Sequence, residues 1–173
     1  MFSDLQSKLN RAIRAVIIDQ GAGSDADTFV DFTSDNRELP NTTIDCGEAS
    51  EHIPFTGNWR FPRVAIVLRD HAAIQPEEIN TDAAWRAAME RYDKVRVALS
   101  RVGDSGEFDF MPGQLTTLGR ALSVDDPENH ADMEDFTVFW WNIVTLAAPR
   151  LSPDGNFFES GLQFDAIACN ANF

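Results

Sequence analysis

Apolar residues recur at spacings of three and four over residues 2–18, where Phe2, Leu5, Leu9, Ile13, Val16 and Ile17 fall on one face and Lys8, Arg11 and Arg14 fall elsewhere. That period predicts an amphipathic helix, and Gly21 and Gly23 supply its stop. The period then changes to two. Thr42, Ile44 and Cys46 alternate with Thr43 and Asp45, which predicts a strand over 42–49. Residues 60–70 predict a second strand, whose centre Val64-Ala65-Ile66-Val67-Leu68 is apolar on both faces, as in a central, covered strand. With a turn around Pro54 and Gly57, the two strands read as an antiparallel hairpin.

The helical period returns over 80–101. Trp85, Ala88, Met89, Tyr92, Val95 and Leu99 form the stripe, Asn80 or Thr81 serves as the cap, and Glu77, Glu78 and Asp82 lie near the positive end of the dipole. The run Phe136 to Val144 is dense in β-branched and aromatic residues and predicts a strand. A turn region with Pro149, Pro153 and Asp154-Gly155 follows, and residues 161–169 alternate as a final strand paired with 136–147. Phe29, Val30 and Phe32 suggest a short strand inside the acidic connection 19–41, and Leu115 to Leu122 a short helical turn. The order helix, strand, strand, helix, strand, strand implies one α+β domain over 1–173. Its two helices lie on a mainly antiparallel sheet of about four strands, with long loops at 19–41 and 103–134.

Charge narrows the partners. Asp and Glu number 28 against 14 Lys and Arg, a formal net charge of -14. Binding to phosphate backbones rests on basic residues, so specific DNA binding and attachment to an anionic membrane are not expected. Thirteen Phe and four Trp argue for a folded core under this acidic surface. Cys46 and Cys169 are too few for a disulfide framework and read as packed thiols. No apolar run approaches a membrane span and the first residues lack a signal-peptide pattern, so a product made in the cytoplasm is expected.

Candidate chemistry is sparse. His52, His71 and His130 stand outside zinc-binding spacings, and Cys46, Glu48 and His52 lack a fourth ligand. Asp70-His71 closes a strand but has no nucleophile elbow to serve. Phosphate-loop and dinucleotide motifs are absent, and Asp25, Asp27 and Asp31 lack the spacing of a calcium loop. Catalytic, cofactor-binding and metal-ligating residues are therefore not assigned. Trp140-Trp141 reads first as core. Strict alternation puts Phe139, Trp141 and Ile143 on the sheet face away from the helices, as a candidate surface between subunits.

The opening helix Leu5 to Ile18, the strand Arg63-Val64-Ala65-Ile66-Val67-Leu68-Arg69, the helix Trp85 to Val95 and the closing pair Phe139–Leu146 and Gly161–Ala168 resemble the tail-terminator proteins of long-tailed bacteriophages and related minor tail and neck proteins. The likeness is one of pattern and covers most of the chain. The loops 19–41 and 103–134 depart from it. It implies a virion protein without catalytic residues or cofactor, assembled as a ring, commonly a hexamer. Such a ring caps the tail tube, contacts the tube protein and the connector, and lets DNA pass without binding it specifically. An acidic lumen suits that passage, which makes Asp25, Asp27, Asp31 and Asp35 candidate channel-lining residues. Other positions in a tail or neck (tail tube, tail completion), a monomeric acidic inhibitor or immunity module, and a small hydrolase using His71 are the competing readings.

Overall fold

A computed structural model describes residues 2–30, 37–48, 59–72, 81–100 and 137–169. Helix α1 (Phe2–Asp19) buries Leu5, Leu9, Ile13, Val16 and Ile17 along one stripe. It ends in a Schellman motif. Gly21 adopts φ +68° and donates to the Ile18 carbonyl at 3.0 Å, and Ala22 donates to that of Ile17 at 2.9 Å. Glycine suits this site because a Cβ would strain the left-handed conformation.

Strands β1 (Thr28–Phe29), β2 (Asn41–Glu48), β3 (Trp59–Arg60) and β4 (Pro62–His71) follow, then helix α2 (Thr81–Ser100) and strands β5 (Thr137–Leu151) and β6 (Phe157–Cys169). All six strands share one sheet, in the order β1, β2, β4, β6, β5. Strand β3 continues the line of β4 across Phe61, pairing with the end of β6 at Trp59↔Cys169. The sheet therefore has five strand positions, not four, and it is mixed: β1 runs parallel to β2, while every other pair is antiparallel. The extra position comes from Thr28 and Phe29. Two residues are too few to show a period of two, so the pattern alone gives them no partner.

Strand β4 is central, as expected. Val64, Ile66 and Leu68 are fully buried, while Ala65 and Val67 on the other face are half-buried. The core lies between one sheet face and the helices. Ile44, Cys46, Val64, Ile66, Leu68, Leu162, Phe164, Ala166 and Val138 meet α1 and the Tyr92, Val95 and Leu99 face of α2. The opposite sheet face is crossed by two ion pairs between β4 and β6: Arg63 grips Asp165 with two bonds of 2.7 and 2.9 Å, and Arg69 meets Glu159 at 2.9 Å.

The hairpin β5–β6 differs from the expected one. Its turn is Ser152–Asn156, closed by Ser152 donating to the Phe157 carbonyl at 2.8 Å, so Pro149 lies inside β5. A proline is tolerated there because the ladder shifts register between Ala147 and Arg150 on an outer strand. An earlier shift, between Val138 and Trp140, moves Trp141 and Ile143 onto the helix side. Strict alternation had placed them on the other face. The irregularity inverts that assignment, since one extra residue exchanges the faces of everything after it.

Candidate functional site

The residues singled out for chemistry do not converge. His71 is exposed at the end of β4, opposite Phe157. Asp70 is buried and engaged with α2. Neighbouring strand residues face opposite ways, so Asp70 does not orient the His71 imidazole. Cys46 points into the core, and burial, reinforced by Asp45, pushes its thiol up to about 12. Among the described residues no three His, Cys, Asp or Glu side chains gather as a metal site, and no helix is long and apolar enough to cross a membrane. Asn41, at the start of β2, is buried, its amide donating to the Glu38 carbonyl at 3.1 Å. His52, His130, Asp31, Asp35, the turn at 115–122 and the loop 103–134 lie outside the described residues.

Asp25 and Asp27 sit in the turn between α1 and β1, where each has a local partner. The Asp25 carboxylate is exposed and takes a 2.7 Å bond from Arg14, whose Nε donates to the Thr28 carbonyl at 2.8 Å. The Asp27 carboxylate accepts from the Ser24 amide and the Thr28 hydroxyl, each at 2.8 Å. Both residues therefore hold the turn that sets β1 beside β2.

Among the described residues, a polar arrangement that no local pattern marks joins α2 to the sheet. Arg91 leaves the flank of the α2 stripe and reaches between β2 and β4. It donates to the Asn41 carbonyl at 3.0 Å, the Thr42 hydroxyl at 2.6 Å and the Asp70 carboxylate at 3.2 Å. The other carboxylate oxygen of Asp70 is buried without a hydrogen bond. Burial raises the Asp70 pKa above the usual carboxylate range, with Arg91 opposing the shift. The arrangement pins a helix to two strands.

Strand β5 turns apolar side chains toward the outside. It spans 15 residues from Thr137 to Leu151, and one of its edges pairs with β6. Among the described residues its other edge has no strand partner. The segment contains no Asp or Glu and one charged residue, Arg150. The proposed interface residues divide along it. Trp141 and Ile143 are half-buried against the core, with the Trp141 ring stacked on Phe164 at 4.6 Å between centroids. The Phe139 side chain lies outside the described set. Exposure shifts to the second half of the strand, where Val144 is 45%, Leu146 47% and Leu151 49% exposed. Leu146 and Leu151 stand opposite Leu162 and Phe158, both buried on the helix side, so they continue the apolar face beyond its cover. The sequence signal that marks them is the carboxylate-free run itself.

No protein-family model matches the chain, and no curated protein matches its sequence.

Proposed function

We propose that the chain is a non-catalytic virion protein: a tail-terminator-like ring subunit that closes the tail tube and joins it to the head-tail connector. The observation that carries this reading is the segregation of charge. The chain bears 28 acidic residues, yet the 15 residues of its outer strand β5 include none and expose three large aliphatic side chains. Surfaces that contact other chains are depleted of charge at their centre. Surfaces that must let polyanionic DNA slide past gain from negative charge. One polypeptide that separates the two properties suits a ring around a DNA passage. The order of helices and strands supports the same reading through its likeness to the tail-terminator pattern. In this reading copies join as a ring, six in the arrangement common to that family. The acidic turn carrying Asp25 and Asp27 lies toward the passage, together with Asp31 and Asp35 of the same connection.

Gold-labelled antibody against the chain, applied to the particles that carry it, tests the assignment. Label at the junction of head and tail is expected. Label along the whole tail would move the chain to the tube, and unlabelled particles would contradict a virion role.

A further inference from the structure

We infer that an ordered water molecule is bound between the Asp70 carboxylate and the Ser160 hydroxyl, and that it joins β6 to the polar contact Arg91 makes with β2 and β4. The site is the same whether the chain stands alone or in a ring.

Alternation along the strands brings the two side chains together. Asp70 shares the helix-side face of β4 with Val64, Ile66 and Leu68, and Ser160 shares that of β6 with Phe158, Leu162 and Phe164. In the register of the two strands Asp70 lies opposite Phe158 and Leu68 opposite Ser160, so Asp70 and Ser160 are diagonal neighbours. Both are buried, Asp70 at 7% exposure and Ser160 at 3%. One Asp70 oxygen accepts from Arg91. Its Oδ2 and the Ser160 Oγ are buried atoms that find no hydrogen-bond partner among the described residues.

Two such atoms on neighbouring strands point to a ligand, because buried polar atoms in native proteins are hydrogen-bonded to protein or to ordered water. The residues directly across, Phe158 and Leu68, are apolar, and α2 packs only the methyl groups of Ala84 and Ala88 against Phe158. Diagonal residues of an antiparallel pair stand about 7–8 Å apart. Two short side chains and one water making bonds of about 2.8 Å cover that span. A water suits both atoms, since it donates to the carboxylate and exchanges a second bond with the hydroxyl. A cation would be repelled by the Arg91 guanidinium, which already holds the same carboxylate at 3.2 Å. With the water in place the joint under α2 spans three strands. Arg91 holds Asn41 and Thr42 of β2 and Asp70 of β4, and the water carries the contact to Ser160 of β6.

High-resolution crystallography of the full chain tests this. A water within about 3.2 Å of both Asp70 Oδ2 and Ser160 Oγ is expected. Ser160→Val should lose that water, whereas Ser160→Thr, which has the shape of valine but keeps the hydroxyl, should retain it. In solution, magnetic relaxation dispersion of the water signal counts long-lived buried waters, and the count should fall by one from Ser160→Thr to Ser160→Val. A direct bond between Asp70 and Ser160, both oxygens bonded to other parts of the protein, or equal counts in the two variants would overturn the inference. The wild-type structure decides the matter by itself where a variant does not fold.

Discussion

Arg91 and Asp70 form an ion pair at 3.2 Å in which the two side chains are only 13% and 10% exposed. Their residues lie on α2 and at the end of β4, and the same guanidinium also holds Asn41 and Thr42 of β2. The fold therefore depends at this point on a charge kept out of water, and that charge is tolerable only while its partner remains.

Replacing Arg91 with Met should destabilise the chain by about 3–5 kcal/mol, because removing one member of a buried pair leaves the other uncompensated. Replacing both, as Arg91→Met/Asp70→Leu, should recover most of the loss. Urea denaturation of the two variants against wild type checks this. A single variant as stable as wild type would show that the pair contributes nothing.

The pH dependence has a definite sign. Burial raises the folded-state pKa of Asp70 above its unfolded value of about 3.9. The folded chain thus holds the Asp70 proton more tightly than the unfolded chain does. The stability from this group is fully present below the unfolded pKa and is lost as pH rises through the folded one. Asp70→Asn removes the titration, so wild type should lose stability relative to that variant as pH rises from about 4 toward neutrality. Urea midpoints of both proteins across that range measure the difference, and a gap moving the other way would show that Arg91 outweighs burial.

Both cysteines are buried and unpaired with each other, and burial together with Asp45 holds the Cys46 thiol near 12. Thiol reagents attack the thiolate. Neither cysteine should react with Ellman's reagent at pH 8 in the folded chain, and both should react in denaturant. Fast labelling of the native protein would contradict the packing of β2 and β6.

Phe164 is completely buried and stacks on Trp141, joining the last two strands to the helical layer. Phe164→Ala should lose about 3–5 kcal/mol, the usual cost of emptying an aromatic core site. The change should also shift the tryptophan emission, as Trp141 loses the ring against which it lies. Denaturation followed by fluorescence reads both effects.

The helices and main strands were legible because each buries one continuous stripe. Leu5 to Ile17, Ala88 to Leu99, Val64 to Leu68 and Leu162 to Ala168 keep an unbroken period of 3.6 or 2. What escaped depends on interruptions and on long-range pairing. The shift beside Trp140 reverses the faces of Trp141 and Ile143, and a second shift keeps Pro149 within the strand although proline usually signals a turn. The short strand suggested by Phe29 is present at Thr28–Phe29, but its parallel pairing with β2 had no local sign. Nothing local marks Arg91 as the residue that crosses to Asp70, 21 positions earlier in the chain. The candidate surface was legible in part. The run from Phe136 stood out for its apolarity, but the exposed members, Val144, Leu146 and Leu151, are defined by where the helical cover ends.

Electron microscopy of the purified wild-type chain should show closed rings of identical subunits around a central opening lined by acidic turns. A population of single globules at every concentration, or rings whose openings are lined by lysine and arginine, would contradict the ring reading.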